Sequence, residues 1–127
     1  TMKGDVLYVS TTGNDESGDG SANNPFLTIQ AALTTANSTD TVLVQPGTYN
    51  ENIIWPETNG IKLISAGDSS NTIINGGALS FVISFPGVYP IDTTTQINGF
   101  GITNSNTDGV YINNSGPKLV NCDIFSK

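Results

Sequence analysis

Apolar residues in the middle of the chain form short runs that recur about every twenty residues. Each run reads as a strand and reaches a glycine at its seventh position. The runs are TVLVQPG (41–47), IKLISAG (61–67) and FVISFPG (81–87). A period near twenty, built from short strands and turn residues, is typical of a solenoid in which each repeat buries its apolar face against the next. The same period predicts that residues 73–74 stack on residues 53–54.

Alternation inside the runs predicts which side chains face the core. Val42 and Val44 share one strand face, and Leu43 lies on the other. A further strand is predicted over residues 5–10, before the repeats begin. Residues 88–94 are predicted to form an outward loop, because Pro90 cannot serve in a central strand.

After that loop the repeat lengthens to twenty-two residues. The segment QINGFGITN (96–104) then aligns with KLVNCDIFS (118–126). The alignment stacks Leu119 on Ile97, Cys122 on Phe100 and Ile124 on Ile102. Leu119, Cys122 and Ile124 would form a last coil with an exposed face, which is a template for strand addition.

One amphipathic helix is predicted over residues 25–37. Phe26, Ile29 and Leu33 recur at helical spacing, Asn24 can cap the helix, and Pro25 suits its first turn. The open end of a solenoid exposes apolar side chains and unpaired backbone groups. We therefore expect this helix to cap the first coil.

These elements predict a single all-β domain with one helix. Residues 1–40 supply a strand, a polar loop and the helix, and residues 41–127 supply the coils. The length suffices for about five coils, because a solenoid repeat contacts only its neighbours. The chain could also be a fragment of a longer solenoid.

Composition excludes several classes of partner. The chain has 11 Asp and Glu against 4 Lys and Arg, all four being lysine, and a net charge of −7. Nucleic-acid binding needs a basic surface, so it is not expected. No apolar stretch is long enough to enter a membrane. The single Cys122 excludes an intrachain disulfide and a cysteine-based zinc site, and it is predicted to be a buried strand residue.

A calcium site is the one metal centre the sequence suggests. Asp15, Ser17 and Asp19 alternate in the polar loop 11–24 and precede a glycine, as in the first half of a calcium loop. Phe26 stands at the twelfth position, where that motif requires a glutamate. The alternative is a polar loop braced by side chains that bind their own backbone.

No catalytic constellation is visible, so no cofactor apart from calcium is expected. The chain has no histidine to activate a serine or cysteine, and no pair of carboxylates repeats from coil to coil. Three aromatic residues could contact a sugar: Trp55, Tyr89 and Tyr111. For Trp55 and Tyr111 the alternation leaves core packing and groove lining equally open.

Several motifs of this chain resemble those of right-handed parallel β-helix proteins of the pectin-lyase-like group. The motifs in residues 7–53 are YVS, GND, PF-TIQAA, DTVLV and PGTY-E, and those in the later repeats are TIINGG, INGFGIT and LVNCDIF. The resemblance implies a right-handed, three-faced solenoid whose N-terminal end is plugged by a helix. It does not fix an activity, because this group contains both enzymes and surface proteins.

The sequence therefore favours a non-catalytic structural module, secreted or at the cell surface, in its mature form without a signal peptide. Such a module could associate with itself through its last coil or present a face that binds polysaccharide. The alternative is a truncated polysaccharide lyase or hydrolase acting on uronate polymers. The resemblance implies that lyases of this fold use an Arg or Lys base with calcium, and this chain has no Arg.

Overall fold

A computed structural model of the chain describes residues 5–87 and 90–124, without the side chains of 79–80 and 104–108. Its elements are β1 (Val6–Val9), α1 (Ile29–Thr35), β2 (Thr41–Val44), β3 (Gly47–Asn50), β4 (Ile53–Ile54), β5 (Lys62–Ser65), β6 (Thr72–Phe85), β7 (Gln96–Asn98), β8 (Gly101–Ile112), β9 (Lys118–Val120) and β10 (Asp123–Ile124). The fold is therefore mostly strand, as predicted. None of the helices in the described ranges is long and apolar enough to cross a membrane.

The named strands form two parallel sheets. One sheet has the order β1-β2-β5-β7-β9, and the other has the order β10-β8-β6-β3, with β4 also paired to β6. Strands in the first sheet follow one another in chain order, so each return of the chain adds a strand beside the previous one. This arrangement confirms the prediction of parallel, stacked repeats.

The core of the first sheet is a column of apolar side chains in register. Val42 pairs with Leu63, Leu63 with Ile97, and Ile97 with Leu119. Val42, Leu63 and Ile97 are fully buried, whereas Leu119 is only partly buried. The predicted twenty-two-residue register of the last repeat is confirmed here and where Ile124 pairs with Ile102.

The register of the first two repeats is twenty-one residues instead of twenty. Thr41 pairs with Lys62, so Val42 lies beside Leu63. A shift of one residue moves every side chain of a strand to the opposite face. Pairing at twenty would have placed Val42 beside Lys62, so burial of the apolar column selects the longer offset.

The predicted stacking of residues 73–74 on β4 is wrong. Ile53 pairs with Ile83 instead, and Ile73 pairs with Thr48 of β3. The reason is that β6 is 14 residues long and pairs with β3 through its first half and with β4 through its second. The run 81–87 therefore belongs beside β4 and not, as its spacing suggested, beside residues 61–67.

A corner in the backbone separates the half of β6 that pairs with β3 from the half that pairs with β4. Gly77 and Ala78 both have left-handed backbone angles, with φ of 66° and 64°. The Asn52 side chain donates hydrogen bonds across this corner to the carbonyls of Gly76 (2.9 Å) and Phe81 (2.7 Å). One amide side chain thus satisfies two carbonyls that lie between the segments of β6 paired with β3 and with β4.

The helix begins four residues later than predicted. Residues 25–28 precede the helix, and the Phe26 N–H donates to the carbonyl of Tyr8 (2.9 Å), as in a strand. Thr28 is the N-cap, because its hydroxyl accepts from the N–H of Ala31 (3.2 Å). Asn24, the predicted cap, donates instead to the carbonyl of Ser17 (2.8 Å). The expected apolar residues are still buried: Phe26, Ile29 and Leu33.

Ile91 also departs from the predicted outward loop. Its side chain is buried, its N–H donates to the Ser115 hydroxyl (3.0 Å), and its carbonyl accepts from Gly116 (2.7 Å). The chain therefore returns to the core within this segment, because an apolar side chain gains more from burial than from exposure on a loop.

Candidate functional site

The predicted calcium ligand Asp15 binds the start of the helix. Its carboxylate accepts from the N–H groups of Leu27 (2.7 Å) and Thr28 (3.0 Å) and from the Thr28 hydroxyl (2.7 Å). Burial acts to raise the pKa of Asp15, but these hydrogen bonds outweigh it and the pKa is lowered. Asp15 is thus held as a carboxylate by three donors of its own chain.

The other two predicted calcium ligands brace the loop locally. The Asp19 carboxylate accepts from the N–H of Ser21 (2.9 Å), and the N–H of Ser17 donates to the Asn14 side chain (3.0 Å). Side chains that bind the backbone two or three residues away are typical of polar turns. The alternative to a calcium loop is therefore present, and calcium binding stays a prediction.

Glu51 is a residue of this site that the sequence did not reveal. It follows β3, and its two carboxylate oxygens accept from the N–H groups of Ile29 (2.7 Å) and Gln30 (3.0 Å). Burial raises the pKa of Glu51, and the charge of Asp15 adds to that rise. Its only sequence signal was the acid that ends the PGTY-E motif, which does not indicate a helix twenty residues earlier.

Together these groups bind five consecutive backbone N–H groups, from Leu27 to Ala31. A helix leaves its first four N–H groups without partners inside the helix. Two carboxylates and one hydroxyl supply the missing acceptors here. Tyr49 lies beside them with its hydroxyl donating to the carbonyl of Gln45 (2.7 Å), and burial and the Glu51 charge raise its pKa to about 12.

Further acids also accept hydrogen bonds from the backbone, Asp68 and Asp92 within turns and Asp40 both within a turn and from Asp5, 35 residues earlier. Asp40 accepts from the N–H groups of Asp5 and Asn37, Asp68 from that of Ser70, and Asp92 from that of Thr94. The pKa values of Asp68 and Asp92 are lowered, first by the hydroxyl hydrogen bond that each accepts from the same partner. Asp123 is exposed and accepts from the Ser69 hydroxyl (2.7 Å).

Trp55 lies in the core, one of the two alternatives left open by the sequence. Only 3% of its surface is exposed, and its ring stacks on that of Phe85 with 4.9 Å between centroids. A cavity of about 140 Å³ lies beside the pair, lined also by Ile54, Pro56 and Ile91. The buried ring offers no free face on the surface for a sugar.

Tyr111 has the exposure that a sugar contact requires. It is 37% exposed and stacks on Phe81 with 4.6 Å between centroids. Tyr111 also continues an outward column of β4, β6 and β8, in which Ile54 pairs with Ser84 and Ser84 with Tyr111. We call Ile54, Phe81, Ser84 and Tyr111 the Tyr111 strip. Tyr89, the third predicted contact, lies outside the described residues.

The residues predicted to form an exposed last coil are less buried than those beneath them. Leu119 and Cys122 are partly buried, and Ile124 is 48% exposed, while Ile97, Phe100 and Ile102 are fully buried. The Cys122 thiol donates to the carbonyl of Val120 (3.3 Å). Cys122 is therefore closer to the surface than the sequence suggested.

Residues 11–63 match the model of a protein family of unknown function, DUF1565. The matched segment includes Asp15, α1, β2, β3 and Glu51, so it spans both partners of the helix-capping arrangement. No curated protein and no solved structure matches the chain.

Proposed function

We propose that this chain is a non-catalytic structural module built as a right-handed, three-faced parallel β-helix, secreted or at the cell surface. The separate pairing of the two halves of β6 with β3 and β4 supports a three-faced coil, since one strand then contributes to two faces. The sequence motifs resembling pectin-lyase-like proteins support the handedness and the location outside the cell.

The observation that carries this proposal is that acidic side chains bind the backbone of the chain itself. Among the described residues, six of them accept hydrogen bonds from backbone N–H groups: Asp15, Asp19, Asp40, Glu51, Asp68 and Asp92. A general acid or base must instead reach the proton that it transfers on a substrate. Carboxylates that bind the backbone in caps and turns stabilise the fold and are poorly placed to transfer a proton to or from a substrate.

An activity assay on uronate polymers tests the proposal against the alternative, a truncated polysaccharide lyase or hydrolase. The purified chain is incubated with polygalacturonate, pectin and alginate, with and without calcium. Unsaturated uronate is followed by absorbance and new reducing ends by a colorimetric assay. We expect neither product. Cleavage that disappears in Glu51→Gln, while the circular dichroism spectrum is retained, would overturn the non-catalytic assignment.

Self-association through the last coil is part of the proposed structural role. The exposed apolar surface of Leu119, Cys122 and Ile124 supports it, because such a coil can be covered by another. Light scattering should therefore give a mass that rises with protein concentration. Leu119→Lys should lower that mass toward the monomer, and Val6→Lys, a change at an exposed site on β1, should not.

Polysaccharide binding is the second candidate, and the Tyr111 strip favours it. An exposed aromatic ring held by a second ring is a suitable platform for a sugar. A glycan array with and without calcium tests both the sugar and the metal. We expect binding that is lost in Tyr111→Ala and retained in Ile112→Ala. An array without any signal would contradict polysaccharide binding. A signal that is the same with and without calcium would show that calcium takes no part in the binding.

A further inference from the structure

Three strands have a free edge at the capped end of the described sheets: β1, β3 and β4. On the β1 edge, the Tyr8 N–H donates to the carbonyl of Gly20 (2.7 Å), and the Tyr8 carbonyl accepts from the N–H of Phe26 (2.9 Å). On the β4 edge, the Gln30 side chain binds both the N–H and the carbonyl of Ile54. The chain thus closes two of the three edges with groups that replace the missing neighbouring strand.

The third edge, that of β3, is open. The N–H groups of Gly47 and Glu51 donate toward β6, at 2.8 and 3.0 Å from their acceptors. Since alternate residues of a strand face opposite neighbours, the backbone groups of Thr48 and Asn50 point away from β6. Within the described part of the chain, these backbone groups have no hydrogen-bond partner on that side. Two N–H groups and two carbonyls are therefore available to an incoming strand.

A groove of about 280 Å³ lies beside this open edge. It is bounded by β3 and Glu51 on one side and by Thr11, Leu27 and Thr28 on the other. Leu27 is 42% exposed and gives this second wall an apolar side chain. The volume lies near the lower end of ordinary ligand sites, about 300 Å³, so the groove has room for a few extended residues and not for a folded surface.

Charge selects among the strands that can add to this edge. Glu51 lines the groove, and Asp15 binds the N–H of Thr28 at the opposite wall. The chain as a whole carries a net charge of −7. A two-fold contact between two copies would bring the same acidic surface of both together, which is unfavourable. A segment that carries Lys or Arg is instead attracted to the groove.

We propose that the open edge of β3 is a docking site for a short, extended, basic segment of a partner protein, which adds to the sheet through the backbone of Thr48 and Asn50. Exposed sheet edges bind extended peptides in this way, with main-chain hydrogen bonds giving affinity and neighbouring side chains giving specificity. The site does not depend on the structural role proposed above, and each can fail alone.

Titration with a model peptide tests the site. Protein labelled with ¹⁵N is titrated at low salt with Ac-Thr-Val-Lys-Val-Thr-NH₂, and amide hydrogen exchange is measured with and without the peptide. We expect saturable shifts of the Thr48 and Asn50 amide resonances and slower exchange of both amides, because they become hydrogen-bonded. The same peptide N-methylated at every residue has no donors and should bind at least about fivefold more weakly. Replacing its lysine by glutamate should also weaken binding.

Two variants locate the peptide on the protein. Thr48→Pro removes an N–H that makes no hydrogen bond within the fold, a change that edge strands tolerate, and should weaken binding at least about fivefold. Leu27→Lys replaces the apolar wall of the groove by a charge that repels the peptide, and should also weaken binding. The matched control is Val6→Lys, at a 46% exposed position outside the groove, which should bind as the wild type does. Dispersed amide spectra establish that each variant is folded.

Four outcomes would overturn the proposal. The Thr48 and Asn50 amides do not respond to the lysine peptide, or the fully N-methylated peptide binds as tightly. The glutamate peptide binds as well as the lysine peptide, which contradicts the basic partner. Protection of the two amides rises with protein concentration in the absence of peptide, which assigns the edge to a second copy of the chain.

Discussion

The two ends of the stacked strands differ in how they are covered. At the N-terminal end, α1 packs on β1, β2 and β4, and Val9, Ile29 and Leu33 are fully buried. At the other end of the described strands, Leu119 is partly buried and Ile124 is 48% exposed. Within the described residues, the same kind of apolar column is therefore covered by a packed helix on one side and is more exposed on the other.

The covered end shows that a cap must supply two things. Apolar side chains of the helix replace the missing coil, and polar side chains replace its backbone. The Gln30 amide donates to the Ile54 carbonyl (2.9 Å) and accepts from the Ile54 N–H (2.8 Å), as a neighbouring strand would. An exposed strand edge that is satisfied in this way no longer recruits other strands.

Removing apolar cover should therefore cost far more at the packed end. Leu33→Ala deletes a fully buried side chain and should lower the free energy of unfolding by about 3 kcal/mol, because a cavity remains. Leu119→Ala removes a partly buried side chain and should cost about 1 kcal/mol. Urea denaturation measures both, and equal losses would show that the two ends are covered alike.

The polar half of the cap should contribute the next largest effect. Glu51→Ala leaves the N–H groups of Ile29 and Gln30 without their acceptors and should lower the free energy of unfolding by about 2 kcal/mol. Glu16→Ala, an exposed acid in the polar loop, is the matched control and should change little. If both substitutions have the same effect in urea denaturation, then Glu51 does not brace the helix.

The apolar column was predictable from sequence because it depends on local alternation. Val42, Val44 and the pairing of Ile97 with Leu119 follow from a two-residue period and one aligned segment. The offset between repeats was less accessible. A shift of one residue in the pairing of Thr41 with Lys62 would move every side chain of the strand to the opposite face of the sheet. The packing of the apolar column shows which of the two offsets is adopted.

The capping groups could not be read from sequence because they act across long separations. The Glu51 carboxylate accepts from the N–H of Ile29, twenty-two residues earlier in the chain. The Asp15 carboxylate accepts from the N–H of Thr28, thirteen residues later in the chain. A search for carboxylates repeated from coil to coil does not detect such partners. The corner at Ala78 was hidden for a related reason, since a non-glycine residue with φ of 64° carries no strong sequence signal.

The strand-like contacts of Gln30 should have a smaller, local effect. Gln30→Leu keeps the length of the side chain but removes both hydrogen bonds to Ile54, and should lower the free energy of unfolding by about 1 kcal/mol. Hydrogen exchange of the Ile54 amide should accelerate. In Thr35→Leu, a change at an exposed position of the same helix whose hydroxyl donates to the Ala31 carbonyl, that amide should keep its protection. Unchanged exchange in Gln30→Leu would mean that this strand edge is protected by something else.

The dependence of stability on pH should be the smallest effect, and it has opposite signs in two ranges. Burial, and secondarily the Asp15 charge, raises the folded-state pKa of Glu51 above its ordinary value of 4.5. The protonation of Glu51 therefore stabilises the fold fully below pH 4.5, and this stabilisation is lost as the pH rises through the raised pKa. Hydrogen bonds lower the pKa values of Asp15, Asp19, Asp68 and Asp92 below 3.8. Their contributions are present above pH 3.8 and are lost as the pH falls through the lowered values.

Thermal unfolding followed by circular dichroism should therefore give the highest Tm between about pH 3.8 and 4.5 for these groups. Glu51→Gln cannot titrate, so its Tm should no longer rise when the pH is lowered from neutral to 4.5, while the loss below pH 3.8 persists. Asp15→Asn should weaken that acid loss, and it should also reduce the fall in Tm above pH 4.5, because it removes a charge that helps to raise the pKa of Glu51. Parallel Tm profiles for the wild type and Glu51→Gln above pH 4.5 would show that the partly buried carboxylate of Glu51 does not titrate as its surroundings require.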